Sequence, residues 1–404
     1  MVRVLIKSVE TADERKKTHD LITRVHYGGT EQGRKIVDTF IGNYPDYYEK
    51  EHTRILLVNG QVAACCCLFT HTIRIGESRL KMGGIGYVTT AAAQRKKGYA
   101  SLLMEDMKQY MESHGYHLSM LFGIKDFYSR WGFTAVLPDY ASIIELKEAK
   151  ISCPIAYKER PIKPGDIPTL LRLHNKNDTE STCSVLRSFG HVTARYDQWQ
   201  SARVLTDVHG KVVGYSLARY AGDEMHVDEL EAISTDCFPL LLHHCALSAE
   251  KECASKLRFH LPPSHPFIRY ILRYRSVHET YIYRNNQGMM ALVNLEETLE
   301  SMQAEWEAAL SFSAMADEVF CLTLIIDQVP YRIRTHHGIV DIARQSGENK
   351  LSISSEEFLQ LMTGYHYVQE ILSGKQAILT QKAQHFLKIL FPKRTPYVWK
   401  MDRF

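Results

Sequence analysis

Through the first third of the chain the apolar positions fall into short runs, and the spacing within each run separates strands from helices. Arg54–Val58 and Gln61–Phe69 are apolar stretches of strand length. They are joined by Asn59-Gly60, a pair suited to a turn with positive φ at both positions, which predicts a hairpin. Thr72–Ile75 and Arg79–Met82 flank Gly76-Glu77-Ser78, predicting a further turn, and the largely β-branched run Gly84–Thr90 predicts another strand. A polar, basic stretch from Gln94 to Gly98 follows. Leu103, Met107, Tyr110 and Met111 then recur at helical spacing, so Tyr99–His114 is expected to be a helix with one buried face, closed by Gly115. His117–Phe122 reads as a strand and Ile124–Arg130 as a helical turn ended by Gly132.

Around Lys150–Lys163 the pattern breaks at Pro154, Pro161 and Pro164, which marks a domain boundary. Beyond it a helix is expected over Ile167–His174, a hairpin from Arg203–Asp207 to Lys211–Arg219 about His209-Gly210, and a long helix over Leu240–Lys256. A third unit begins near Gln287. Leu295, Leu299, Met302, Trp306 and Leu310 predict one amphipathic helix. Strands are expected at Val319–Ile326, Pro330–Thr335, Ile339–Arg344 and Lys350–Ile353, then helices at Ser355–Met362 and Ala383–Leu390. The fold class is α+β (mixed α/β), divided at 1–150, 151–286 and 287–404.

Composition narrows the function classes. At 404 residues, 45% hydrophobic and 24% charged, the chain has an ordinary globular make-up that rules out disorder or a fibrous repeat as readings of the whole. A net charge of +3 gives no broad footprint for nucleic acid or a membrane surface, so neither is an expected partner. Met1–Lys17 has no signal-peptide core, and the longest apolar run, Val62–Phe69, is too short to cross a bilayer. The nine cysteines include no CxxC pair, so the protein is expected to be reduced and cytoplasmic. Cys65, Cys66 and Cys67 alternate along a strand and cannot share a metal. His243-His244-Cys245 and His336-His337 are adjacent pairs that point apart, so no metal is expected.

The segment with chemical content is Val88-Thr-Thr-Ala-Ala-Ala-Gln-Arg-Lys-Lys-Gly-Tyr-Ala-Ser101. A strand leads into a basic loop, and the loop opens a helix with a glycine and a small residue two apart. Unpaired N–H groups and the positive end of the helix dipole converge there, beside Arg95, Lys96 and Lys97, as a pyrophosphate cradle requires. A solvated basic turn would read the same way from spacing alone.

Arg95-x-x-Gly98-x-Ala100 after a Val-x-Thr strand resembles the acetyl-CoA signature of GNAT acetyltransferases, and Tyr128-Ser-Arg-Trp-Gly132-Phe133 adds to it. Lys81-Met-Gly-Gly-Ile-Gly, Phe127-Tyr128-Ser-Arg-Trp-Gly-Phe and the closing Met401-Asp-Arg-Phe404 are similar to the enhanced-intracellular-survival (Eis) branch, over the whole chain. The resemblance implies an active GNAT domain, a degenerate GNAT-like domain and a sterol-carrier-like domain. It implies acetyl-CoA as co-substrate, an amine acceptor that is a small molecule or a peptide, and a hexamer of like chains. Val88, Thr89 and Thr90 would bind the pantetheine arm, while Lys96, Lys97, Gly98, Tyr99, Ala100 and Ser101 would hold the pyrophosphate beside Arg95. Gly123 and Ile124 would end the next strand where it splays away. Tyr128 would be the general acid, and the terminal carboxylate of Phe404 the general base. From the residues alone Tyr128 is a core aromatic between Phe127 and Trp131, and the terminus a fraying end. Two features stand apart: basic Arg403 precedes the terminal Phe and would repel a polycationic acceptor, and Gly123-Ile124 stands where some members have a polar Ser-Glu pair. The competing reading is a carrier of apolar ligands whose first domain keeps only a vestigial CoA site.

Overall fold

Asn59 and Gly60 adopt φ of +49° and +79°, and the chain reverses there between β2 (Thr53–Val58) and β3 (Gln61–Ile75). The structure, a computed structural model, describes residues 3–41, 48–150, 156–177, 180–373, 375 and 379–404. Pro154, part of the expected boundary, lies outside them. The two short strands expected between Gln61 and Ile75 form one strand of 15 residues. After the turn at Gly76 (φ +56°), β4 (Ser78–Thr90) pairs antiparallel with it along its length.

Two compact units result, interleaved along the sequence. One comprises Met1–Val136, Arg284–Lys393 and Phe404, the other Leu137–Tyr283 and Arg394–Arg403. In the first, β1 (Val4–Ser8), β2, β3, β4 and β5 (Leu118–Gly123) lie in that order, followed by the strand Gln287–Leu292 and then β6 (Thr134–Leu137). Helix α1 (Ala12–Tyr27) starts at a reciprocal Thr11–Glu14 capping box and is followed by α2 (Glu31–Phe40). Helix α3 (Tyr99–Ser113) ends before Gly115, at φ +65°. Its Leu103, Met104, Met107 and Met111 pack with Ala64, Cys66, Leu68 and Ile85, while Phe69 and His71, of opposite parity on β3, belong to the other face.

Two irregularities shape this sheet. The parallel ladder from β4 to β5 runs only from Met82–Leu118 to Gly84–Met120, whereas β5 stays paired with Gln287–Leu292 on its far edge as far as Gly123. Beyond Gly84 the two central strands therefore part. On β4, Tyr87 and Val88 together face Cys66, a bulge in which Tyr87 takes φ +51°. Cys65, Cys66 and Cys67 are fully buried, as expected of core thiols, and burial pushes the Cys67 thiol up to about 12.

The same unit holds the strands Ile339–Ala343, Val329–His336, Phe320–Ile326 and Lys350–Ile353 in that order, with the helix Ser355–Met362 close to its predicted bounds. The single helix expected over Leu295–Leu310 is two, Leu295–Ser301 and Gln303–Ser311. The break lies at Met302, whose N–H is shared between the carbonyls of Thr298 and Leu299, tightening that turn.

In the second unit, Glu224–Ala232, the helix Phe238–Lys251 and the parallel strand Lys256–Phe259 repeat the strand–helix–strand arrangement, with a ladder that stops at Val227–Phe259. The helix is shorter than predicted because Cys253 turns left-handed (φ +55°) and Lys256 already opens the strand. Arg187, fully buried, grips Glu229 at 2.7 and 2.8 Å and Asp402 at 2.6 and 3.0 Å, fixing the segment that ends at Arg403. The fold class is mixed α/β, and no helix among the described residues is long and apolar enough to cross a membrane.

Candidate active site

The basic loop after β4 enters α3 through two left-handed residues, Lys96 (φ +62°) and Gly98 (φ +79°). Gly98 is the N-cap, and no side chain caps the helix; its first turn carries no acidic residue. Leu102 N–H reaches Gly98 O at 3.2 Å, so the N–H groups of Tyr99, Ala100 and Ser101 precede the first helical bond. An added Cβ at Gly98 would meet nothing within 4 Å, so the space before the helix is open. Orphan donors, the helix dipole and flanking cations suit this end to a phosphate group.

A cleft of about 420 Å³ begins at this cradle and joins most of the residues expected at a cofactor site. Val88, Thr90, Arg95, Lys96, Gly98, Tyr99, Ala100, Ser101, Ile124 and Tyr128 line it. Thr89 does not: its hydroxyl donates to Tyr87 O and meets Nε2 of His26 at 2.9 Å, away from the opening. Lys97 is not among the lining residues either; its Nζ donates to Oε1 of Gln94 at 2.9 Å. Val25, Gln94, Phe127 and Arg130 also line the cleft without having been expected there. Phe127 and Arg130 flank Tyr128 in sequence and were within reach of motif reading, whereas Val25 arrives from α1 by tertiary packing.

Tyr128 stands just before a 3₁₀ turn, Ser129–Trp131, that closes at Gly132 (φ +81°). Its ring packs with Phe127, Trp131 and Phe133 at centroid separations of 4.9, 6.1 and 6.2 Å. Its hydroxyl makes no hydrogen bond to the described residues. Burial, with a smaller contribution from Cys66, pushes its pKa up to about 12. The side chain thus packs against the core and also forms part of the cleft wall. Gly123 lies behind the ring rather than in the cleft.

Phe404 docks at the parting of β4 and β5. Its ring is stacked on His71 at 5.7 Å and lies 5.8 Å from Phe69 and 5.9 Å from Phe122. A Cβ on Gly84 would fall 2.3 Å from Cζ of Phe404, and one on Gly86 would lie 3.5 Å from its terminal carboxylate carbon. The terminus therefore sits against the bare backbone of β4, next to the bulge. Among the described residues no group of three or more His, Cys, Asp or Glu could hold a metal ion.

Residues 11–136 match the family model described as the acetyltransferase (GNAT) domain. Solved structures similar in fold span the chain. A probable N-acyltransferase of Enterococcus faecalis has a TM-score of 0.77 at 16% identity, covering 100% of both chains. A GCN5-related N-acetyltransferase of Anabaena variabilis has 0.76 at 14%, again covering 100% of both. Eis1 of Mycobacterium abscessus has 0.67 at 14%, over 99% of this chain and 100% of its own. No curated protein matches in sequence.

Proposed function

Residues 11–136 being an acetyltransferase (GNAT) domain, we propose that the protein is an acetyl-CoA-dependent N-acetyltransferase of Eis type that acetylates a primary amine by direct attack in a ternary complex. The observation that carries this reading is a cleft lined both by the α3 cradle and by Tyr128. The pyrophosphate would take the N–H groups of Tyr99–Ser101 with Arg95 and Lys96 beside it. The pantetheine arm would run along Val88–Thr90, on the edge of β4 that has no β5 partner. Acetyl-CoA supplies an acyl thioester already activated for attack.

An alkyl amine has a pKa near ~10.4, so only about one molecule in 10³ is neutral at pH 7 and a base is useful. The Phe404 carboxylate, at Gly86 beside the β4 bulge, is that base in this proposal. The Tyr128 hydroxyl, with a pKa of about 12, remains protonated at neutral pH. Tyr128 is the general acid in this proposal, giving its proton to the sulfur as the carbon–sulfur bond breaks.

The domains 1–150, 151–286 and 287–404 would be the GNAT domain, its GNAT-like copy and the sterol-carrier-like domain, in a cytoplasmic homo-oligomer. Similarity in fold to Eis1 along the chain supports that organisation. Thiol release from acetyl-CoA, measured against a panel of polyamines, aminoglycosides and lysine peptides, tests the activity. Release with at least one amine is expected. Release with none, together with saturable lipid binding, would favour the carrier instead.

A further inference from the structure

Arg130 lines the same cleft as the cradle, from the segment that follows β5. Its Nε donates to Phe127 O at 2.9 Å, and its guanidinium carbon stands 4.5 Å from the Phe127 ring centroid and 4.6 Å from that of Trp131. The side chain is exposed, and its guanidinium is oriented by this one backbone bond and two aromatic faces. The Nε–H is one of five donors; among the described residues the other four are given to no protein acceptor, and no carboxylate pairs with the charge. Arg54, Arg160 and Arg258 show the alternative on this chain, each being tied to a carboxylate at 2.5–2.6 Å. The fold thus positions Arg130 without using its charge.

We propose that Arg130 binds the 3′-phosphate of coenzyme A and makes the cleft selective for CoA over its dephosphorylated form. This rests on the acetyl-CoA reading above. The pyrophosphate already has its donors in the N–H groups of α3, with Arg95 and Lys96 at the loop. The remaining anionic group of the molecule is the ribose phosphate. A planar, pre-oriented fork of N–H donors accepts a phosphate through two parallel bonds, which a lysine cannot reproduce.

Calorimetric titration of the full-length protein with acetyl-CoA and with acetyl-3′-dephospho-CoA reads the proposal as a ratio of two dissociation constants. The wild type should prefer acetyl-CoA by about ten- to a hundredfold, the span of a charge-assisted hydrogen-bonded contact. Arg130→Gln should bring that ratio close to one by weakening acetyl-CoA alone, and Arg130→Lys should keep part of it. Both ligands are measured on the same preparation, so a partly misfolded variant lowers the number of sites and not the ratio. The proposal is overturned if the wild type binds the two ligands equally, or if Arg130→Gln weakens both alike, which would place the side chain at the pyrophosphate. Absence of any acetyl-CoA binding by the wild type would overturn the functional reading itself, and this proposal with it.

Discussion

The Tyr128 ring lies so close to the backbone of Gly123 that a Cβ there would stand 2.5 Å from its Cδ2 and Cε2. The glycine at the end of β5 is thus the floor on which the cleft's tyrosine rests. Gly123→Ala should push the ring off this floor at an overpacking cost of about 1–3 kcal/mol. Turnover should fall more than acetyl-CoA affinity. Steady-state kinetics beside a binding titration would show it, and unchanged turnover would mean that the ring position does not matter.

Tyr128→Phe removes a hydroxyl that has no partner in the described structure, so the melting temperature should hardly move. Turnover should drop by about 10²–10³-fold, as for loss of one preorganised donor. Because burial places the hydroxyl near 12, the wild type should show no loss of rate from its ionisation anywhere between neutral pH and about 10. A wild-type rate in the phenylalanine variant would return Tyr128 to the role of core aromatic alone.

Gly98→Asp puts a negative charge where a side chain meets open space, directly before the three free N–H groups. Acetyl-CoA should bind at least tenfold more weakly, a change of about 1.4 kcal/mol. The fold should survive, since aspartate is among the residues that tolerate left-handed backbone. Equal affinity in a folded variant would remove the cradle from the cofactor site.

The Phe404 carboxylate can be tested without touching a side chain. One glycine added after it moves the charge by up to ~3.3–3.6 Å, more than the ~2.6–3.2 Å reach of a working base. Amidating the terminus removes the charge in place. Both proteins should bind acetyl-CoA normally and turn over slowly. If each works at the normal rate, the base is elsewhere or is water.

Acid should loosen the second unit. Burial, helped by the charge of Arg195, pushes His191 down to about 4, so between its ordinary ~6.5 and 4 the unfolded chain binds a proton that the native one does not. Stability therefore falls as pH drops through that window. Burial alone would raise the Glu229 carboxyl, but Arg187 and His174 outweigh it and hold it near 2, which adds a further loss below about 4.3. Melting temperatures should decline from pH 6.5 to 4 and more steeply beneath. Arg187→Leu, which strands Glu229 and Asp402, should cost about 3–5 kcal/mol at pH 7. A melting temperature that stays level from pH 7 to 4 would contradict the assignment.

Local chemistry made much of this legible. Asn59-Gly60 marked a hairpin, Gly115 an end of helix, and Gly98 the start of one, because each depends on backbone geometry set within a few residues. The regular helix face through Leu310 concealed the break at Met302, since hydrophobic spacing does not record which carbonyl an N–H selects. Nor could spacing reveal that Thr89 turns away from the cleft: the bulge at Tyr87 shifts the alternation by one, and it arises from pairing with Cys66. Phe404 at Gly84 is a contact across most of the sequence. Resemblance suggested a role there, and only the folded chain gives it neighbours.

The strand Gln287–Leu292, hydrogen-bonded along β5, has a consequence for the order in which the protein assembles. During synthesis β5 leaves the ribosome well before its neighbour exists. At roughly 5–20 residues per second the interval is about ten to thirty seconds. For that time the nascent acetyltransferase sheet ends in an open apolar edge, the kind of surface that pairs with the wrong strand. Residues 137–283 emerge meanwhile and can complete their own sheet first. A fragment ending near 150 would keep that edge permanently, so excising the domain for separate expression should give aggregation rather than a minimal enzyme.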